Sequence, residues 1–292
     1  MSDTTAGRRR PLRVAYAGDD SFATCLLAMT ERTDLDVVFC LTTEDGRFNT
    51  TVEELARNAG AKLFYGPPDR GGWVQLVEAD VDLLITAAYG HRVPVERLNI
   101  ETMLNVHPSY LPEGRGPNPL VRIAGAANAT EAAEAAGVTL HLLDETFDTG
   151  KILLRRRFDG DKQPSLNDLT LWAMATAPSM LNELLDDLDR HVERARTQIG
   201  GSYWHALAPD ATTIDLVTAT PEAIDDVINR FSRQGFSLQL AGGQHLHVGS
   251  AHHTVVAHDF APGRLLGRLR GDSLLSTRAG LLRAIPFCDH VD

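Results

Sequence analysis

The sequence predicts an α/β chain: a doubly wound, mostly parallel sheet followed by a smaller β-rich domain. Three observations carry this. Between Leu12 and Tyr110, short apolar runs alternate with segments of helical spacing. After about Gly200 the texture changes to short strands punctuated by Gly and Pro. The 292 residues, 43% of them hydrophobic, suffice for one sizeable core and a second smaller one. The expected domains are therefore residues 1–200 and 201–292.

Each element can be read in turn. LRVAYAG is a short apolar strand ending at Gly18, SFATCLLAMTER a helix and DVVFCLTT a second strand. That order implies parallel pairing through a right-handed crossover. TVEELARNAGA then reads as a helix, AKLFYG as a strand, GGWVQLVEA as a helix, VDLLITAAYG as a buried strand and TMLNVHPS as a strand running into a loop. From Gly125 to Ala136 no apolar stripe is clear, which predicts a short helix or an exposed loop. GVTLHLLD alternates like a strand and KILLRRRFD is another. SLNDLTLWAMATAPSMLNELLDDLDRHVER has helical spacing, with a break or bend expected near Pro178. In the second domain the helix PEAIDDVINRFSRQG heads the strands FSLQL, HLHVG, HTVVAH, GRLLGRLR and SLLSTRAGLLRAI.

Composition narrows the function classes. The formal net charge is -11, which disfavours a nucleic-acid backbone or an anionic membrane as partner and suits small or neutral ones. No run approaches the ~20 apolar residues of a membrane helix. The start, MSDTTAGRRR, carries three arginines without a following apolar stretch, so the cytoplasm is the expected location. Cys25, Cys40 and Cys288 are odd in number and form no CxxC pair, so neither a disulfide nor a thiolate metal site is expected.

The chemistry concentrates in two loops. Asn105-Val106-His107-Pro108-Ser109-Tyr110-Leu111-Pro112 follows a predicted strand at its carboxyl end, where open α/β sheets place ligands. Asn105 and His107 are two apart, so in extended chain their side chains point the same way. An amide and an imidazolium N–H can both stabilise a developing oxyanion in acyl-type transfer. A carboxylate is needed to take a proton from an attacking amine, and Asp148 in FDTG is the best candidate, with Gly150 allowing close backbone approach. Taken singly, the first loop also reads as local side-chain to backbone bonding and DTG as an ordinary turn.

Together, NVHPSYLPEGRGPNPLVRIAG and GVTLHLLDETFDTGKIL resemble the folate-dependent formyltransferase family, which includes methionyl-tRNA formyltransferase, glycinamide ribonucleotide transformylase and amino-sugar N-formyltransferases. The family order is an Asn-x-His-x-Ser-x-Leu-Pro loop, then Arg-Gly-x-x-Pro, Gly-Val-Thr and Asp-x-Gly, and every piece is present. The resemblance implies a Rossmann-like formyltransferase fold, with Asn105 and His107 stabilising the tetrahedral intermediate on the formyl carbon. Asp148 would manage the proton and hold the imidazole charged. It further implies 10-formyltetrahydrofolate as co-substrate and no metal. The pterin would lodge beside AAYGHRVP and DETFDTG, mainly on backbone groups, which nominates Tyr89, Gly90, Arg92, Val93, Leu104 and Asp144.

The expected acceptor is a small-molecule amine, an amino-sugar nucleotide or a modified amino acid, because Asn118-Pro119-Leu120 after Arg115-Gly116 resembles the small-molecule members. Formylation of methionyl-tRNA, or hydrolysis of the formyl-folate, are the alternatives over the same three residues. A sensor that binds without turnover would have no use for an oxyanion donor pair beside a proton acceptor. The later strands resemble the small β-barrel-like, OB-like appendage of several members, which would either bind substrate or mediate a homodimer. The chain departs from the family pattern at Gly114, Arg122 and Ile123 and in the Ala-rich stretch from Ala126 to Ala136, all on the acceptor side.

Remaining features carry two readings each. His245, His247, His252 and His253 suggest either a metal site or solvated loop histidines. Tyr203 and Trp204 either stack on a ligand or pack a seam between domains. Arg155, Arg156 and Arg157 alternate faces on a predicted strand, as a solvated edge or with one arginine turned to a partner. His141 is expected near the site, either as a structural residue or as an acceptor contact. Gly18 ends the first strand without a GxGxxG pattern, so a dinucleotide site is not expected.

Overall fold

The computed structural model describes residues 10–44, 46, 49–66, 71–125, 129–159, 164–205, 212–232 and 235–286. The arginine-bearing start through Arg9, residues 126–128 of the Ala-rich stretch and Cys288 lie outside the described residues. The chain divides into two compact units. The first comprises Met1–Pro119, Ala133–Asp159 and Thr170–Trp204, and the second Leu120–Ala132, Gly160–Leu169 and His205–Asp292.

In the first unit, β1 (Leu12–Gly18), α1 (Ala23–Thr30), β2 (Leu35–Thr42), α2 (Thr50–Asn58), β3 (Lys62–Tyr65), α3 (Gly72–Glu78), β4 (Leu83–Ala87) and β5 (Thr102–His107) alternate as expected. Along the chain there follow α4 (Pro119–Ala124), in the second unit but for Pro119, α5 (Ala129–Ala135), divided between the units, and then β6 (Gly137–Leu142) and β7 (Ile152–Arg157) of the first. The seven strands form one sheet in the order β3-β2-β1-β4-β5-β6-β7. The first five are parallel; β6 and β7 are antiparallel. The doubly wound reading holds. β4 is shorter than VDLLITAAYG because Ala88 turns left-handed at φ 53°, and β6 is buried along most of its length rather than alternating.

The two sheet faces bury different partners. On one, Val14, Tyr16, Leu83, Ile85, Leu104, Val106, Val138 and Leu140 pack with residues of α1, α2 and α6. On the other, Ala15, Ala17, Phe39, Leu41 and Leu84 pack with Leu76 of α3 and with Val93, Leu98 and Ile100.

α6 (Leu166–Asp186) runs unbroken through Pro178, and the interruption falls at Asp187, before α7 (Leu188–Glu193). The expected break at Pro178 is therefore corrected. Proline removes the N–H that would bond the carbonyl four residues earlier; here that carbonyl, on Met174, accepts the Thr24 hydroxyl at 2.8 Å instead. Arg155, Arg156 and Arg157 lie on the edge strand β7. Arg155 and Arg157 stack on the Tyr110 ring, 4.2 and 3.9 Å from its centroid, and Arg156 pairs with Glu183 at 2.9 Å.

The second unit contains β8 (Thr213–Asp215), α8 (Pro221–Phe231), β9 (Phe236–Gln239), β10 (His245–Val255), β11 (Leu265–Leu269), β12 (Asp272–Ser276) and β13 (Gly280–Pro286). They form a six-stranded sheet in the order β11-β12-β13-β10-β9-β8. HLHVG and HTVVAH, expected as two strands, are one long strand whose register slips between Val248 and Ser250. SLLSTRAGLLRAI, expected as one, is a hairpin closed by the Thr277 N–H on the Gly280 carbonyl at 2.8 Å. His253 bonds Asp225 and Thr277, and His245 bonds Ser237. Among the described residues no group of three His, Cys, Asp or Glu is placed to hold a metal ion, and no helix is long and apolar enough to cross a membrane.

Candidate active site

β5 meets both neighbours in register at the site. Asn105 pairs with Thr86 on β4 and His141 on β6, and His107 pairs with Thr139. Opposed residues of adjacent strands share a face, so Thr86, Asn105 and His141 form one row. It lies on the face that carries Leu84, where apolar packing gives way to buried Thr86, His107, Thr139 and His141. The Thr86 hydroxyl donates to Asn105 Oδ1 at 2.8 Å. That fixes the amide nitrogen toward His141 Nε2 at 3.2 Å and Asp148 Oδ1 at 3.4 Å. His141 Nδ1 lies 2.8 Å from the Leu142 carbonyl, which can only accept, so Nδ1 carries a hydrogen.

Asp148 reaches this row from the loop between β6 and β7. The Leu143 N–H bonds the Met103 carbonyl at 2.8 Å, beside the start of β5, and the chain then returns over the face. Asp144 shapes the return by accepting the Thr146 N–H at 3.0 Å and the Thr149 hydroxyl at 2.8 Å. Asp148 itself is left-handed at φ 59°, a conformation that Asp adopts more readily than most residues. At Gly150 a Cβ would stand 1.7 Å from the Leu142 carbonyl oxygen, so only glycine fits. The carboxylate accepts the Gly116 N–H at 2.9 Å on Oδ2, while Oδ1 lies 3.4 Å from His107 Nδ1 and 3.6 Å from His141 Nε2.

His107 has an acceptor at each nitrogen: the Gly114 carbonyl 2.8 Å from Nε2, and Asp148 beyond Nδ1. Burial pushes its pKa below the ordinary 6.5, and His141 adds to that push; Asp148 and the Gly114 carbonyl pull it up. Two opposing influences therefore act on the imidazole proton, burial and His141 against it and Asp148 and the Gly114 carbonyl for it. Burial alone would raise the Asp148 pKa. The neighbouring imidazoles of His107 and His141 and the Gly116 N–H outweigh it and hold the carboxyl well below the usual carboxylate range.

The nominated pocket residues fall into two groups. Tyr89 packs edge-on against Trp73 and His91, with ring centroids 6.2 and 5.4 Å apart, and Gly90 is exposed with open space where a Cβ would be. Arg92 donates to the Glu145 carbonyl at 3.3 Å, linking this loop to the Asp144–Asp148 loop. Leu104 and Val93, by contrast, are buried in opposite cores, 0% and 6% exposed. Sequence reasoning missed Thr86 and the main-chain groups of Gly114 and Gly116. The Arg-Gly pair was the available signal for the last.

A family model described as formyl transferase matches residues 73–181, which include Asn105, His107, Asp148 and the Tyr89–Val93 loop. Those residues form a formyl transferase domain. The chain's relatives include the methionyl-tRNA formyltransferase of Marinobacter nauticus, 27% identical over 93% of this chain and 90% of that protein. That of Alcanivorax borkumensis is 30% identical over 70% and 65%. Among solved structures, HypX from Aquifex aeolicus in complex with tetrahydrofolic acid matches with a TM-score of 0.65 at 17% identity. The match covers 94% of this chain, which spans only 43% of HypX. The N-formyltransferase from Helicobacter canadensis, in complex with folinic acid and dTDP-3-aminofucose, matches with a TM-score of 0.58 at 16% identity, over 94% of this chain and 99% of that one.

Proposed function

We propose that this formyltransferase moves the formyl group of 10-formyltetrahydrofolate onto the amine of a small molecule, an amino-sugar nucleotide or a modified amino acid. Asn105, His107 and Asp148 are its catalytic residues, residues 1–200 its catalytic domain and 201–292 a smaller β-rich domain. The observation that carries the reading is the meeting of amide, imidazole and carboxylate on one sheet face, with Asp148 Oδ1 3.4 Å from both partners.

The folate supplies an activated formyl carbon. As the amine nitrogen bonds to it, the formyl oxygen gains negative charge, which the Asn105 amide and a protonated His107 stabilise. The amine must lose a proton and the folate nitrogen must gain one as its bond to carbon breaks, giving a formamide and tetrahydrofolate. Asp148, ionised at neutral pH, takes that proton, with the His107 ring beside it balancing the charge. The exposed Gly90, the left-handed Ala88 and the Tyr89–His91 pair suit a flat heterocycle held against backbone. Localisation in the cytoplasm fits this chemistry.

The small-molecule acceptor is favoured by the net charge of -11 and by the sugar enzyme from Helicobacter canadensis. The relative from Marinobacter nauticus favours methionyl-tRNA as a second reading. Incubating the protein with 10-formyltetrahydrofolate and, separately, a dTDP-amino sugar, a panel of amino acids, methionyl-tRNA and no amine decides between them. Tetrahydrofolate release with a small amine is the expected result. Release with tRNA alone selects the second reading, release without amine a hydrolase, and no release at all overturns the proposal.

A further inference from the structure

We propose that Gln198 is the positioning residue of this site, holding Asp148 against His107 by tying the Asp148 loop to the Gly114–Gly116 loop through one amide. The proposal rests on the roles given above to Asn105, His107 and Asp148. Gln198 Nε2 donates to the carbonyls of both Asp148, at 2.9 Å, and Gly150, at 2.8 Å. Its Oε1 accepts from Arg115 Nε at 3.0 Å. Only an amide can donate twice and accept at the same time with this geometry.

Both attachments matter to the reacting groups. Asp148 sits in a left-handed conformation, φ 59°, and such a conformation persists only where its surroundings over-determine it. Arg115 stands between Gly114, whose carbonyl meets His107 Nε2, and Gly116, whose N–H meets Asp148 Oδ2. One side chain therefore fixes the aspartate from behind and steadies the loop that supports the aspartate and the histidine from the front.

The segment bearing Gln198 is anchored without its side chain. Arg196 and Ile152 exchange backbone hydrogen bonds of 2.8 and 2.9 Å, Arg115 N–H bonds the Ser202 carbonyl at 3.1 Å, and Trp204 N–H bonds the Arg115 carbonyl at 2.7 Å. Gly114 N–H also meets the Ser202 hydroxyl at 2.9 Å. Replacing the glutamine should thus leave the strap in place and remove only the tie. Gln198, like Arg196, Ser202 and Trp204, lies beyond the 73–181 span that the family model matches.

The test uses Gln198→Leu in the full chain, its folding checked by circular dichroism and thermal melting. Two readouts are taken. The first is a pH titration of the His107 ring by long-range nitrogen–proton NMR on protein labelled with 15N-histidine. The second is turnover of 10-formyltetrahydrofolate with whichever amine of the panel above supports it. The proposal expects the His107 midpoint to move down, because Asp148 pulls it up in the wild type, and kcat to fall about 10- to 100-fold with KM for the folate within about twofold. An unchanged His107 midpoint in the folded variant overturns the proposal whatever the rate does. If no amine supports turnover, the catalytic reading fails, but the midpoint still decides whether Gln198 holds the pair. Should the leucine variant fail to fold, Gln198→Met, unbranched and of similar length, carries the same test.

Discussion

His107 faces two acceptors, yet burial lowers its pKa, so its charge state links the site to the stability of the protein. Its folded pKa lies below 6.5; the unfolded chain binds the proton more readily, so the stability involved is present above 6.5 and is lost as pH falls from 6.5 through the folded value. Asp148 behaves in the same direction lower down: its contribution is present above 3.8 and is lost as pH falls toward its depressed folded value. His107→Gln should therefore flatten the fall in unfolding free energy between about pH 7 and 5 that the wild type shows in urea titrations. An equally steep fall in both proteins contradicts the assignment. Glycine is demanded as strictly as charge is. At Gly116, φ is 99° and a Cβ would stand 2.2 Å from the Trp204 carbonyl oxygen. Gly116→Ala should displace the N–H that binds Asp148 and cut turnover about 10-fold or more, measured against unchanged folate binding. At this scale the sequence made Asn105, His107 and Asp148 legible, because two residues share a strand face and the third has a turn motif. Thr86 and Gln198 were not legible, since their roles depend on strand register and on a strap that returns from far along the chain.

α6 illustrates how an element can defeat a sound local rule. Proline 178 predicts a break, and the helix continues because Thr24, 150 residues away, fills the acceptor that proline leaves empty. Thr24→Val should cost about 1 kcal/mol of stability. The same substitution should cost clearly less in a Pro178→Ala background, where the restored N–H meets the Met174 carbonyl, and a double-mutant cycle by urea unfolding measures the difference. Equal costs in both backgrounds would rule out the pairing. The parallel strands were legible because their continuous apolar runs match burial on both faces. β10 was read as two strands and the β12–β13 hairpin as one because a register slip and a tight turn leave little trace in the hydrophobic pattern.

Across the whole molecule, the polar row sits where the sheet changes from parallel to antiparallel, between β4, β5 and β6. Parallel strands place their loops at one end, and the antiparallel β6 lets the following loop double back over the face, which brings a carboxylate to an amide and an imidazole from a different loop. The fold class was legible from the alternation of elements, whereas the acceptor was not, because net charge and the Asn118-Pro119-Leu120 segment bear on it only indirectly. The central claim is that these three side chains act on the transition state. Single-turnover formyl transfer from 10-formyltetrahydrofolate, measured for the wild type and for folded Asn105→Ala, His107→Ala and Asp148→Ala alongside folate affinity, tests it most directly. Each variant is expected to fall about 100-fold or more with affinity nearly unchanged; transfer at the wild-type rate by the Asp148 variant would rule out its role.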